Sequence, residues 1–398
     1  MMEMKKYKLS EIASFIGSGM TPLRSNEKYW NSKDYPWLKT EQLGEYQIFD
    51  TNEYISKVAL EETNLKLFPK NTLSVAMYGE GKTRGNVSIL AEQMTTNQAC
   101  CNIIVDNKFA NYKFVYYWLK NSYYKLRSLS SGIRNNLNSE DIKKFEINLP
   151  SLPTQQKIAA ILSSLDDKIA LNKKINAKLE AMAKRLYDYW FVQFDFPNEE
   201  GKPYKSSGGK MEYNATLKRD IPAGWEAVQI QSILDKHPST KRYNTSEYLH
   251  EGKYPIVDQD SSTFIAGYTN EDDELLRRFP AVLFGDHSMC VKFLNFEFCR
   301  GADGTQILYS NDDRIKPYYL YLVVKSLTIP NQGYSRHFKY LKELPVILPS
   351  LELAAKFQEI VKPIYEKKTK CDKQIEKLSR LRDRLLPLLM NGQVEVEG

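Results

Sequence analysis

Three stretches carry residue types that could do chemistry, and each has to be judged by the element that would hold it. The run A-M-Y-G-E-G-K-T from Ala76 to Thr83 satisfies a permissive phosphate-loop pattern, with Lys82 and Thr83 placed to meet phosphate oxygens and their metal. Such a loop works because a helix N-terminus follows it directly and turns backbone N–H groups onto the phosphates. Here R-G-N-V-S-I-L follows, a turn and then a β-branched strand, and N-I-I-V-D ending at Asp106 comes after it with no helical segment between. The stretch predicts a β-hairpin with a basic tip, leaving Tyr78, Lys82 and Arg84 available for DNA. The run F-I-G-S-G from Phe15 to Gly19 has the F-x-G-x-G form with which adenine methyltransferases hold their methyl donor. That motif belongs at the end of a strand, whereas L-S-E-I-A-S-F reads as helical, and no [N/D/S]-P-P-[Y/F] tetrapeptide occurs to hold an adenine amino group. Gly17 and Gly19 are therefore read as a turn. The acidic runs at 271–274 and 312–313 read as solvated loop carboxylates, and no Ser/His/Asp set can be assigned by spacing. No catalytic residue is assigned.

Metal and disulfide chemistry find no framework either. The five cysteines (Cys100, Cys101, Cys290, Cys299 and Cys371) form no C-x-x-C, and the four histidines (His237, His250, His287 and His337) are not near them in sequence. No metal site is expected, and a reducing compartment is the default. The N-terminal stretch has no long apolar core, and no run approaches the roughly 18 apolar residues of a membrane span, so a cytoplasmic protein is expected. A chain of 398 residues exceeds one typical domain. Its net charge of +7 leans only modestly toward a polyanionic partner.

The elements that must position any site repeat along the chain. F-E-I-N-L-P-S-L-P-T-Q-Q-K-I-A-A-I-L closes the first half, and L-P-V-I-L-P-S-L-E-L-A-A-K-F-Q-E-I-V nearly closes the second, with Pro150 and Pro349 199 residues apart. Each copy runs from a β-like stretch through L-P-S-L into a long helix. A 4-3 spacing gives Ile158, Leu162, Leu165, Ile169, Asn172, Asn176, Leu179, Ala183, Leu186 and Trp190 in the first helix. The same offset gives Phe357, Val361, Ile364, Lys368, Cys371, Ile375, Leu378, Arg382, Leu385 and Leu389 in the second. Sustained spacing of this kind predicts coiled-coil pairing, with the polar members setting register. Pro363 is expected to kink the second helix or delay its regular part. Two helices of some 35 residues would each be roughly 50 Å long and pack antiparallel.

A Gly-, Ser- and Lys-rich segment separates the copies. The expected boundaries are a first domain over 1–149, a first spacer helix over 150–196, a linker over 197–220, a second domain over 221–348 and a second spacer helix with a tail over 349–398. Both domains mix short β-like runs (T-L-S-V-A-M-Y, A-C-C-N-I-I-V, A-V-L-F-G) with helical stretches (N-Y-K-F-V-Y-Y-W-L-K, K-P-Y-Y-L-Y-L-V-V-K-S-L). The predicted fold class is α/β, mixed α+β, with pseudo-twofold internal duplication.

This duplicated unit resembles the specificity subunits of type I restriction-modification enzymes, across essentially the whole chain. The resemblance rests on S-L-P-T-Q-Q-K-I-A-A-I-L-S-S-L-D-D-K-I and L-Y-D-Y-W-F-V-Q-F-D-F-P-N-E-E-G-K-P-Y in the first half. In the second it rests on L-F-G-D-H, G-A-D-G-T-Q-I-L, G-Y-S-R-H-F-K-Y-L-K-E-L-P and L-R-D-R-L-L-P-L-L-M-N-G. One departure is that Leu353-Ala354-Ala355 replaces the glutamine expected near the second helix start, where the first copy has Gln155 and Gln156. The resemblance implies two target-recognition domains, each reading half of a bipartite double-stranded DNA site. It also implies two methyltransferase subunits that bring S-adenosylmethionine and methylate adenine, and restriction subunits that use ATP and Mg. This chain itself would hold no cofactor.

Base reading needs donors and acceptors that reach groove edges. The candidates are Arg134, Asn135 and Asn136 in the first Gly-containing loop, and Tyr334, Ser335, Arg336 and His337 in the second. Lys82, Arg84, Lys241, Arg242 and Lys292 are candidates mainly for phosphate. Two other readings stay open from the sequence: a single-chain DNA methyltransferase or nuclease, which the missing tetrapeptide disfavours, and a coiled-coil adaptor without sequence reading.

Overall fold

The structure is a computed structural model that describes residues 3–79, 81–129, 136–235, 240–272, 274–330 and 336–394. The chain divides into two compact units, Met1–Lys168 with Leu378–Gly398, and Ile169–Lys377.

In the first unit the β-branched and apolar runs become strands. They are β1 (Lys5–Lys8), β2 (Ala13–Ser18), β3 (Tyr35–Leu38), β4 (Gln47–Ile48), β5 (Glu53–Ile55), β6 (Leu73–Ala76), β7 (Val87–Leu90), β8 (Thr95–Thr96), β9 (Cys100–Val105) and β10 (Glu146–Leu149). The sheets run β2-β9-β6-β7-β4, β5-β3-β8 and β1-β10. Strands β6, β7 and β9 are almost wholly buried, which matches their unbroken apolar character. Helices α1 (Lys57–Glu62), α2 (Tyr112–Asn121), α3 (Tyr123–Ser128) and α4 (Ser139–Lys144) join them. Asn111 caps α2 by accepting from the N–H groups of Lys113 and Phe114, and Phe114, Val115, Tyr116, Tyr117 and Leu119 are buried.

The expectation for L-S-E-I-A-S-F is corrected. Only Leu9–Glu11 forms a short 3-10 turn, and Phe15, Ile16 and Gly17 lie in β2, paired antiparallel with β9. Pairing with a buried neighbouring strand overrides the local helical character. Gly17 is therefore a strand residue. Gly19 just beyond it is required by close approach, since a Cβ there would lie 2.1 Å from the Thr96 carbonyl oxygen.

Helix α5 (Leu152–Tyr187) follows β10 across the L-P-S-L corner, with Pro153 in its first turn. Gln155 is buried there: its Nε2 donates to the Pro150 carbonyl (3.0 Å) and its Oε1 accepts from the Asn111 N–H (2.9 Å). The side chain ties the corner to the cap of α2. In the second copy this place is taken by Ala354, 1% exposed, so the tie has no counterpart.

The second unit repeats the plan. Its strands are β11 (Met211–Asn214), β12 (Arg219–Pro222), β13 (Glu226–Gln229), β14 (Tyr254–Val257), β15 (Gly267–Thr269), β16 (Ala281–Gly285), β17 (Val291–Leu294), β18 (Cys299–Arg300), β19 (Thr305–Leu308) and β20 (Pro345–Leu348). Its helices are α6 (Ile230–Ile233), α7 (Pro317–Ser326), α8 (Phe338–Glu343) and α9 (Leu351–Met390). Pair β13–β20 matches β1–β10 residue for residue, Glu226 facing Leu348 as Lys5 faces Leu149. Strand β14 has β15 antiparallel on one side and β18 parallel on the other, as β3 has β5 and β8. Strand β16 sits between β17 and β19 as β6 sits between β7 and β9.

Helices α5 and α9 supply one wall to each unit. In the first unit Ile158, Ala159 and Leu162 share a core with Leu386, Leu389 and Met390. In the second, Ala183, Tyr187 and Trp190 share one with Phe357, Val361 and Tyr365. On the predicted stripe Ile158, Leu162, Leu165, Ile169, Phe357 and Val361 are buried, and Leu179, Leu186, Ile364, Ile375, Leu378 and Leu385 are half-buried. The polar members are answered across the helices. In the first unit Arg382 Nη1 lies 2.6 Å from Asp166 Oδ1, and Tyr117 donates its hydroxyl to the same carboxylate at 2.7 Å. In the second, Asn176 donates to Asp372 (2.6 Å), and Lys368 lies between Asp372 (3.1 Å) and Glu180 (3.9 Å). Four residues forward on α5 thus match four back on α9, an antiparallel register. Burial holds the Asp372 carboxyl above the usual range, against the pull of Lys368.

Pro363 does not delay α9, whose helical run is continuous from Leu351 to Met390. Phe357 and Val361 before it and Tyr365 after it are buried in one core, so both flanks of the proline are packed as helix.

Candidate nucleic-acid interface

The first unit presents the tip of the β6–β7 hairpin. Its strands pair antiparallel from Leu73↔Ile89 to Val75↔Val87, so among the described residues 77–79 and 81–86 form the tip. A strand follows Thr83, not a helix, so the phosphate-loop pattern lacks the element that would cradle phosphate. Tyr78 and Lys82 are exposed and Arg84 is half-buried. Gly85 has φ +88°, and a Cβ on it would lie 3.0 Å from Arg127 Cγ. The Leu137 N–H donates to the Met77 carbonyl (3.1 Å), which brings half-buried Asn136 beside the start of the tip. Arg134 and Asn135 lie outside the described residues.

Sequence reasoning missed what surrounds this tip. An open cleft of about 660 Å³ is lined by Lys82, Asn86, Lys120, Tyr123, Tyr124 and Arg127, among others. Tyr123 donates its hydroxyl to the Lys82 carbonyl (2.8 Å), and Arg127 reaches the Gly81 carbonyl (2.8 Å). Tyr124 is 83% exposed. The available signal was Y-Y-K-L-R at 123–127, where an aromatic and a cation fall one helical turn apart.

In the second unit Arg242 and Arg336 converge on one carboxylate. Arg242 Nη1 lies 2.6 Å and Arg336 Nη2 3.0 Å from Asp303, and all three residues are exposed. The Gly304 N–H and then the two guanidinium groups hold the Asp303 carboxyl below its usual range. Gln259 ties the neighbouring loops together. Its Nε2 donates to the Asp303 carbonyl (2.8 Å), and its Oε1 accepts from the N–H groups of His287 (3.0 Å) and Ser288 (3.3 Å). Gly304, φ +82°, is needed there, because a Cβ would come within 2.5 Å of Gln259 Nε2. Asp303 and Gln259 were not singled out; the G-A-D-G string was the signal for the loop that carries Asp303.

Other sequence candidates are placed differently. Lys241 is exposed but stands apart from that pair, between Glu271 (3.2 Å) and Glu247 (3.3 Å). Lys292 is corrected: it is buried in β17 and its Nζ donates to the carbonyls of Asp258 (2.8 Å) and Thr263 (2.7 Å). Burial pushes its pKa down, and the group is a structural cation with no face toward a phosphate. His337 is corrected too, being fully buried with its N–H and Nδ1 both on the Asp286 carbonyl, at 2.9 and 3.0 Å. It anchors the start of α8 and reaches no groove. Tyr334 and Ser335 lie outside the described residues.

Among the described residues no group of His, Cys, Asp and Glu could hold a metal ion, and no helix is long and apolar enough to cross a membrane.

Comparison with known proteins fits this duplicated architecture. The family described as "Type I restriction modification DNA specificity domain" matches residues 1–181 and again 222–378. The "Type I restriction enzyme MjaIX specificity subunit" of Methanocaldococcus jannaschii is 28% identical, over 98% of this chain and 93% of its own length. The "Type I restriction enzyme HindI specificity subunit" of Haemophilus influenzae is 25% identical over 68% of this chain and 74% of its own. In fold, the chain is similar to the crystal structure of a type I restriction-modification S subunit from M. genitalium. The TM-score is 0.58 at 19% identity, covering 98% of this chain and 96% of that one. With one family match in each half and the same strand plan built twice, the chain belongs to the type I restriction-modification DNA specificity family.

Proposed function

We propose that this specificity subunit reads a bipartite double-stranded DNA site, one half with each recognition domain, and lends that reading to partner subunits. The observation that carries the proposal is a single scaffold built twice with two unlike cationic surfaces. The first is a Gly-rich hairpin tip bearing Lys82 and Arg84, and the second is an arginine pair on Asp303. Phosphate contacts from such groups position the protein, and only base-edge contacts discriminate sequence. Two different surfaces on one frame suit two different half-sites.

Catalysis then belongs to the partners. Two methyltransferase subunits with S-adenosylmethionine methylate an adenine in each half-site, which must leave the duplex to react. Restriction subunits with ATP and Mg cleave. This chain contributes no cofactor site and acts in the cytoplasm.

The test is a genome-wide map of methylated adenines in cells carrying the assembled complex. Exchanging residues 221–348 for the corresponding domain of another family member is expected to rewrite one half-site and leave the other unchanged. Changes in both halves would contradict reading by separate domains. Purified chain with S-adenosylmethionine and DNA is expected to transfer no methyl group until methyltransferase subunits are added.

A further inference from the structure

The hairpin tip that carries Tyr78, Lys82 and Arg84 is tied to its own sheet at its base, by Met77 N–H to the Ala99 carbonyl (2.9 Å) and Ala76 N–H to the Asn86 carbonyl (2.9 Å). Gly85 N–H adds a bond to the Ala76 carbonyl (2.9 Å), and Asn86 N–H closes a turn within the tip on the Thr83 carbonyl (3.1 Å). Beyond that base the tip is braced from α3. Arg127 Nη1 lies within hydrogen-bond reach of the carbonyls of Gly81 (2.8 Å) and Arg84 (3.1 Å) and of the Tyr123 hydroxyl (2.7 Å). Tyr123 passes the contact on by donating to the Lys82 carbonyl at 2.8 Å. The backbone of three of the tip's residues is thus gripped by two side chains four apart on one short helix. The stem of Arg127 also lies over Gly85, where a Cβ would be 3.0 Å from its Cγ. A guanidinium suits this task because its planar fork presents several donors in fixed directions, which an ammonium does not.

We infer that Arg127 is a positioning residue for the first half-site: it fixes the tip backbone so that its neighbours meet the DNA in one geometry, while itself touching neither base nor phosphate. The inference rests on the proposed function above. It separates two properties that usually change together. Losing a phosphate contact lowers the slope of log affinity against log salt by about 0.9 per contact. Losing a positioning residue leaves that slope in place and blurs the discrimination between right and wrong bases.

The experiment uses the full chain assembled with its methyltransferase subunits, on duplexes that carry the wild-type methylation site or one altered base in either half. For Arg127→Ala the expected result is about a tenfold loss of discrimination at the first half-site, as for a removed set of hydrogen bonds. Discrimination at the second half-site and the salt slope should be unchanged. Tyr123→Phe deletes a single hydroxyl and should give a smaller loss of the same kind, which guards against misfolding of the alanine variant. Arg127→Lys is expected to recover only part of the discrimination. Undiminished discrimination in Arg127→Ala and Tyr123→Phe would overturn the inference, and so would a salt slope reduced by one contact. A Tyr123→Phe variant that loses both half-sites equally would also overturn it. A wild-type complex that shows no bipartite site would instead remove the functional reading beneath it.

Discussion

Lys292 and Arg382 are both cations withdrawn from water, and they differ in what answers the charge. Lys292 is wrapped by two backbone carbonyls of its own domain. Arg382, 15% exposed, faces the carboxylate of Asp166, 2% exposed, across two helices. Burial alone would lower the Arg382 pKa, and the attraction to Asp166 raises it instead. Arg382 also bonds the exposed Asp383 carboxylate at 2.8 Å. Removing Asp166 thus leaves the Arg382 charge partly answered and costs less than the roughly 3–5 kcal/mol of a fully broken buried pair, whereas replacing both partners by apolar residues is often neutral. Asp166→Ala, which also takes the acceptor from the Tyr117 hydroxyl, is therefore expected to lower the urea midpoint, and Asp166→Leu with Arg382→Met to restore part of it. An unchanged midpoint in the single variant would show the pair to be unimportant. Sequence reasoning saw Arg382 as a polar member of an apolar stripe but could not name Asp166, which lies beside the stripe on the other helix. Lys292 and His337 went wrong for a related reason. A basic side chain reads the same in sequence whether carbonyls enclose it or solvent does.

Periodic elements were the easiest to read. The 4-3 spacing located both long helices, and K-F-V-Y-Y-W-L-K gave α2, because a helical face repeats over many residues. Short elements without a repeat were harder: β2 is six residues whose strand state comes from its partner β9, a long way along the chain. Pro363 does not delay α9, because residues on either side of it pack as helix into one core. Its ring still denies the Glu359 carbonyl its intrahelical partner. As the side chain is exposed, Pro363→Ala should stabilise the chain by up to about 3 kcal/mol without disturbing the core, raising the thermal midpoint. A lower midpoint would mean that the proline supports the packing of its neighbours.

At the level of the molecule, duplication was legible only toward the end of each copy. From Leu152 to Leu351 the repeat distance is 199 residues, but from Lys5 to Glu226 it is 221, so the copies drift apart in sequence while their strands stay in register. Insertions fall between elements, where they cost little, and so erase the sequence period without altering the plan. If the helices measure the distance between half-sites, adding seven residues to each should lengthen the measure by about 10 Å, roughly three base-pair steps. With heptads inserted after Asn172 and near the facing Glu376, the methylation map is expected to show a wider gap between unchanged half-site sequences. An unchanged gap would defeat the measuring role.

The sharing of α9 between units has a temporal side. The core of the first unit is closed by Leu386, Leu389 and Met390, which a ribosome makes only after the whole second domain. The domain translated first is thus the last to be completed. Until those residues emerge, the apolar face around Ile158 and Leu162 has no wall from α9, and a nascent chain must keep that face from other partners while the rest of the protein is synthesised.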